Sequence, residues 1–552
     1  MPMIDGAMQS FALTLDKLLE HAAKWHPLAE VVTGREAAAA VTNAAVRGEA
    51  AAGREVGRVD RIGYRELYVR SRKVSVVLAG FGVRTGDRVA TLAWNTQAHV
   101  EAWYAIMGMG ATCHTLNPRL TCAQLAAMVA QSEARILIVS ADLESLARNI
   151  AEAAPSIERL LLIDVPADAA PGASGVPNTC ALEPLISRAH GAVPWGNFDE
   201  TASCGLCFTS GTTGAPKGVT YTHRSSFLHT LRLLQVDAMA VSGRDSILTA
   251  VPMFHANAWG IPFAAPAAGA KLVLPGRHTD GASLASLIKS EAVTVAVGVA
   301  TLWLDLVEHV ERTGAELPTL QRIIVGGAQV PQSLMERIEK RLGVRVQTSW
   351  GMTEMSPSGT VAWPDAPVRA AHLSGRPAVG VDLLLTDAVG HPLPDQRGVE
   401  GHLRVRGASV IERYFGDERV AIDAGGWFPT GDLARIDAAG NLIITGRAKD
   451  LIKSGGEWIN PAEIESLVSA LPEVALVAVI GRPHLKWGER PVIVVETRDA
   501  ATVTHASVQA ALRGKVPSWW IPDELIRVSR MPLSATGKID KARLRVEYGG
   551  GP

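Results

Sequence analysis

The stretch Cys207-Phe-Thr-Ser-Gly-Thr-Thr-Gly-Ala-Pro-Lys-Gly218 has the composition of a phosphate cradle. An apolar strand runs into a loop of small residues. Gly211 and Gly214 let backbone N–H groups turn inward, the hydroxyls of Thr209, Ser210, Thr212 and Thr213 add donors, and Lys217 supplies a point charge. The same composition also suits an ordinary Ser/Thr/Gly-rich surface turn. The loop is not a Walker motif, because Pro216 precedes Lys217 and Gly218 follows it. A helix is expected after it, with Phe227, Leu231 and Leu234 on one face. Read one at a time, the later candidates carry less. Trp350 reads as core packing, Glu354 as a solvated carboxylate, Asp432 as a turn residue after glycine, and Lys538 as a solvated lysine.

The elements that must hold these residues alternate. Strand-like runs such as Arg135-Ile-Leu-Ile-Val-Ser140 and Val293-Thr-Val-Ala-Val297 interleave with helical patterns, the mark of α/β layers. A chain of 552 residues is too long for one ordinary domain. Near Arg447 the text turns polar and compact, and an α+β pattern of about a hundred residues follows, as expected of a hinge and a small domain. The fold class is therefore α/β: a large multi-layered N-terminal domain of packed sheets and helices, residues 1–448, and a small α+β C-terminal domain on a hinge, residues 449–552. The segment 35–57 reads as a surface insertion with no chemistry attached.

Lys+Arg total 54 and Asp+Glu 55, so no global field draws the chain to nucleic acid or an anionic membrane. Five cysteines, odd in number and without paired metal spacing, fit a reducing cytoplasm, and Cys204 and Cys207 read as small core residues. The N-terminus carries Asp5 where a signal peptide would want Lys or Arg. The apolar run Ala256–Ala270 holds Pro262 and Pro266 and is too short for a membrane span, so it reads as buried core or a binding pocket.

The glycine and hydroxyl loop resembles the phosphate loop of the acyl-adenylate-forming superfamily, which includes acyl-CoA synthetases, luciferases and peptide-synthetase adenylation domains. The resemblance recurs in order. Thr348-Ser-Trp-Gly-Met-Thr-Glu354 matches the aromatic-Gly-x-Thr-Glu segment. That implies Trp350 against adenine, with Thr348 and Ser349 beside it, Thr353 at the α-phosphate, and Glu354 on Mg²⁺ together with Thr209. Gly326-Gly327-Ala328 resembles the strip that approaches adenine. Gly426-Trp-Phe-Pro-Thr-Gly-Asp432 and Arg447 match the ribose motifs, and Lys449 falls at the family's hinge. Lys453, Gly455, Gly456 and Trp458 match positions that long-chain enzymes bring to nucleotide and pantetheine. Pro532-Leu-Ser-Ala-Thr-Gly-Lys538 matches the motif whose lysine bridges carboxylate and α-phosphate.

The resemblance implies two half-reactions using ATP, Mg²⁺ and coenzyme A: a small-molecule carboxylic acid becomes an acyl-adenylate, then a thioester. Val251-Pro-Met-Phe-His-Ala-Asn-Ala-Trp-Gly260 resembles the acyl-pocket segment, with Trp259 as a gate and His255 four residues earlier on a shared helical face. The wording is nearest medium- and long-chain fatty acyl and methylthioalkanoate CoA ligases. Aryl acids, transfer to a carrier protein, and a non-catalytic acyl- or nucleotide-binding regulator stay open as alternatives. A homodimer is compatible with the sequence, and neither a nucleic-acid partner nor an integral membrane span is expected.

Overall fold

The computed structural model describes residues 6–36, 56–165, 178–209, 216–498, 503–534 and 537–550. Apolar runs of four or five residues, such as Ile136–Ser140, Val295–Gly298 and Arg322–Val325, are buried along their whole length. Strands apolar on both faces need cover on both faces, and parallel sheets flanked by helices supply it.

Two such sheets form the large N-terminal part. The first has seven strands in the spatial order Thr179–Ala181, Arg159–Ile163, Ile136–Ser140, Arg88–Leu92, Thr112–Thr115, Ser203–Thr209 and Lys217–Thr222. All pairs are parallel except the last, which is antiparallel. The second has nine strands, and its parallel centre runs through Arg345–Gly351, Arg322–Val325, Val295–Gly298, Ser246–Thr249, Lys271–Leu274 and Glu30–Glu36. The helix Gln97–Gly108 is buried from His99 to Gly108, and its Tyr104 hydroxyl donates to the carbonyl of Pro262 in the helix Ile261–Ala268 at 3.0 Å. A helix apolar all round belongs inside a core, and these two are packed there.

Asn95 ties the strand ends of the two sheets together. Its amide donates to the carbonyls of Thr249 at 2.9 Å and Val251 at 2.8 Å, and its Oδ1 accepts from the Met253 N–H at 2.7 Å. The side chain is buried, so each of these bonds replaces one that water would have made. The anchored segment leads directly to His255 and Trp259.

An antiparallel sheet of Val381–Thr386, Glu400–Gly407, Phe428–Ile436 and Leu442–Arg447 follows. After the short turn Ala448–Asp450 a five-stranded sheet forms, and its two apolar clusters draw their members only from residue 452 onward. Polar contacts join this C-terminal unit to the rest: Asn460 Nδ2 donates to Thr445 O at 2.7 Å, Ser333 Oγ to Ser469 O at 3.2 Å, and Thr301 Oγ1 to Gly537 O at 3.3 Å.

Residues 37–55 of the expected insertion lie outside the described residues, while Arg35 and Glu36 pair antiparallel with Arg58 and Val56. All five cysteines are free thiols, with Cys204 and Cys207 buried. Among the described residues, no helix is long and apolar enough to cross a membrane.

Candidate active site

The phosphate loop hangs on an antiparallel pair. Thr209 ends one strand directly opposite Lys217, which opens the next, so seven residues must turn between them. Ser210, Gly211, Thr212, Thr213 and Gly214 lie outside the described residues. The helix expected after the loop is His223–Leu234, and of the expected face Phe227 and Leu234 pack, partly buried, against the core. Leu231 is 45% exposed, and Ser226, His229, Thr230 and Leu233 point inward instead. The reason is close packing against the turn before Ile261. The His229 ring lies within 2.8 Å of where a side chain on Gly260 would begin, leaving no room for a row of leucines.

Three motifs far apart in sequence converge beside the loop. Asp432, 2% exposed at its side chain, takes a hydrogen bond from the Trp350 indole at 2.9 Å and an ion pair from Arg447 Nε at 2.7 Å. Loss of hydration raises the Asp432 pKa above the ordinary carboxylate value, and Arg447 and the Trp350 bond act against that rise. Arg447 also donates to Thr430 O at 3.2 Å. Glu354 is buried, with its Oε1 accepting from the Tyr414 hydroxyl at 2.9 Å, and the neighbouring Thr353 carbonyl accepts from Tyr221 at 2.9 Å. Ser349 donates to Val325 O at 3.0 Å, and Thr348 donates to Leu373 O.

The glycines of the strip make room for neighbours that the sequence did not foretell. A side chain on Gly326 would begin 2.4 Å from Ser349 Oγ and 3.0 Å from the Trp259 ring. Gly327, at φ +83°, would meet Lys538 Cε at 3.3 Å. Ala328 next to it is exposed. The C-terminal loop thus brings Lys538 to the strip, where it feels the charges of Arg447, Asp432 and Glu354. Loss of hydration, followed by Arg447, lowers the Lys538 pKa below the ordinary lysine value.

His255 is half-buried nearby. Burial and then the Lys538 charge pull its pKa down to about 4, so it is neutral at physiological pH. The shared helical face expected for His255 and Trp259 is absent. Ala256, Asn257, Ala258 and Trp259 have φ of 46°, 52°, 48° and 54°, forming a left-handed turn closed by Gly260 at 77°. Each non-glycine residue held there costs roughly 1–2 kcal/mol, so the spacing rule for right-handed helices does not apply. The turn is buried throughout, which lets the surroundings hold it.

Lys449 lies in the turn Ala448–Asp450. Lys453, Gly455, Gly456 and Trp458 form an exposed hairpin. It bonds to the neighbouring turn and strand at Trp487, Glu489 and Arg490: Gly455 N donates to Trp487 O at 2.7 Å, and within the hairpin Lys453 Nζ sits 5.5 Å over the Trp458 ring. In this arrangement the hairpin is not gathered with the other motifs. No group of three or more His, Cys, Asp or Glu side chains that could hold a metal exists among the described residues. One carboxylate, Glu354, with a hydroxyl from Thr209, suits a Mg²⁺ ion that arrives on phosphate oxygens. Sequence reasoning missed Tyr414 and Asn95. The aromatic in Arg413-Tyr-Phe415 is the only signal that could have marked the first.

The AMP-binding enzyme pattern matches residues 36–415, and the AMP-binding enzyme C-terminal domain matches 463–538. A medium-chain fatty acid–CoA ligase of Ectopseudomonas oleovorans is 38% identical, over 99% of this chain and 97% of that protein. A 3-methylmercaptopropionyl-CoA ligase of Ruegeria lacuscaerulensis is 36% identical, over 98% of each chain. The ATP-bound crystal structure of MatB from Rhodopseudomonas palustris superposes with a TM-score of 0.81 at 25% identity, covering 98% of this chain and 99% of that one.

The bond from Trp350 to Asp432 is open to test. A hydrogen bond to a charged group contributes roughly 1.5–3 kcal/mol, so Trp350→Phe is expected to lower stability to urea by about that much at pH 8. The bond favours the ionised carboxyl, whose folded pKa is already raised. Removing the bond raises that pKa further, so the deficit is full above the variant's pKa, shrinks as pH falls through it and is gone below the wild-type pKa. A deficit that stays constant with pH would contradict the assignment.

Proposed function

The chain belongs to the AMP-binding enzyme family of ATP-dependent acyl-CoA ligases, and from that premise we propose that its acid is a fatty acid or related alkanoate, activated at the site around Lys538. The observation that carries the reading is Lys538 itself, brought by the C-terminal loop against Gly327 and within the field of Glu354 and Asp432.

In the first half-reaction a carboxylate oxygen attacks the α-phosphorus of ATP, and the bond to pyrophosphate breaks. Two anions must meet, and a cation between them stabilises the charge in transit. Lys538 takes that role, with Thr353 at the α-phosphate. Ser210 to Gly214 and Lys217 hold the outer phosphates, Trp350, Thr348, Ser349, Gly327 and Ala328 border the adenine, and Asp432 with Arg447 orients the ribose. Mg²⁺, held by Glu354 and Thr209, neutralises phosphate charge when bound.

In the second half-reaction the sulfur of coenzyme A attacks the acyl carbon and AMP leaves. Domains 1–448 and 449–552 turn about Lys449, withdrawing Lys538 and bringing up Lys453, Gly455, Gly456 and Trp458. The exposed hairpin, not yet in contact with the site, supports this reading. Substrate class is supported by the names of the two similar ligases and by an apolar segment ending at Trp259. The cytoplasm is the compartment we place it in, supported by five unpaired cysteines.

Lys538→Ala is expected to lower pyrophosphate release about a hundredfold to a thousandfold while sparing thioester formation from supplied acyl-AMP. Equal loss in both half-reactions would refute the role.

Trp259 is proposed as the acyl gate. Each methylene buried in the pocket contributes roughly 0.8 kcal/mol, so kcat/KM should climb with chain length and stop where the pocket ends. Trp259→Ala is expected to move that stopping point with the KM for ATP nearly unchanged. A uniform loss across acids, with the roughly 3–5 kcal/mol destabilisation of an emptied core site, would make it a packing residue instead.

A further inference from the structure

Tyr414 touches both halves of the phosphate site. Its hydroxyl donates to Glu354 Oε1 at 2.9 Å, and the ammonium of Lys217 sits 4.6 Å over its ring centre. The backbone on either side is pinned to the same two elements. Ile411 N donates to Glu354 O at 3.0 Å, and Phe415 N donates to Gly218 O at 2.8 Å. A side chain on Gly218 would begin 2.9 Å from Phe415 Cβ, so the segment lies hard against the strand that leaves the phosphate loop. The Tyr414 ring also packs edge-on against Phe428, which opens the strand leading to Asp432, at 6.4 Å.

We propose that Tyr414 is a positioning residue for adenylate formation: its hydroxyl fixes the Glu354 carboxylate for the ion, and its ring holds Lys217 ready for polyphosphate. The proposal rests on Glu354 being the ion's carboxylate and Lys217 the loop's cation. The bond holds one oxygen of the Glu354 carboxylate, Oε1, and among the described residues no hydrogen bond holds the other.

The ring suits Lys217 because its hold is weak. A carboxylate partner would have to be displaced by ATP, whereas an aromatic face yields readily to several phosphate charges. Asp417 feels the Lys217 charge, but it is already paired with Arg419 at 3.1 Å. A residue that merely packed would be replaced by phenylalanine at no cost, and this separates the two roles.

The experiment is calorimetric titration of the full chain with ATP at graded Mg²⁺, without carboxylic acid, so that binding is read instead of turnover. Tyr414→Phe keeps the ring and loses the hydroxyl. The Mg²⁺ needed for half-maximal ATP binding is expected to rise about tenfold, with ATP binding in chelator unchanged. Tyr414→Leu removes the ring as well, and ATP binding in chelator is expected to weaken about threefold, an effect that disappears in a Lys217→Met background. If the leucine variant fails to fold, the phenylalanine variant decides alone. An unchanged Mg²⁺ requirement in Tyr414→Phe overturns the proposal. A lowered requirement overturns it too, because the hydroxyl would then be occupying the ion's place. Glu354→Gln is the control: a wild-type Mg²⁺ requirement there would overturn the metal reading on which the proposal stands.

Discussion

A cation that is to join two anions in one step and leave before the next, the role proposed for Lys538, must not be locked into an ion pair. Among the described residues Lys538 makes no ion pair, although Asp432 and Glu354 both act on it electrostatically. Those carboxylates already have other partners, Asp432 in Arg447 and Trp350, Glu354 in Tyr414 through one of its oxygens. A direct buried pair with either would be costly to break, because it would strand a charge away from water. The site is therefore built with its own partners, and in the proposed mechanism the lysine comes to it on the C-terminal unit.

The scaffold serves that arrangement by keeping everything else rigid. Parallel strands deliver their C-terminal ends to one region, where ligands of such sheets ordinarily sit. Asn95 holds the segment before His255 with three hydrogen bonds, and the left-handed turn that follows swings Trp259 back against Gly326. Gly327 then leaves the gap that Lys538 fills. Backbone strain at Ala256–Trp259 is the cost of placing an indole and an imidazole beside the same strip.

The motifs marked in advance Trp350, Asp432, Arg447 and Lys538, which the structure brings together, because their residue types are ones that binding phosphate and ribose would call for. The layered α/β fold followed from alternating apolar runs, and the C-terminal unit from the polar break near Arg447. The helix face was read correctly at Phe227 and Leu234 but not at Leu231, which spacing favours, whereas the contact with Gly260 selects His229. The turn at residues 256–260 was hidden because alanine and tryptophan give no warning of positive φ. Tyr414 was invisible for another reason. Its partners Glu354 and Lys217 lie 60 and 197 positions away, and no local pattern encodes such a meeting.

In the proposed mechanism one docking of the C-terminal unit serves adenylate formation and a different one serves the thioester. Ser333 and Ser469 meet across the two units in the present docking, with Ser333 Oγ 3.2 Å from the Ser469 carbonyl. Replacing both with cysteine and oxidising the pair would hold that docking. The decisive measurement is the rate of each half-reaction in the oxidised double variant. Pyrophosphate release from ATP and acid should persist through a first turnover, thioester formation from supplied acyl-AMP should stop, and a reducing agent should restore it. Thioester formation at the wild-type rate in the oxidised protein would contradict the account.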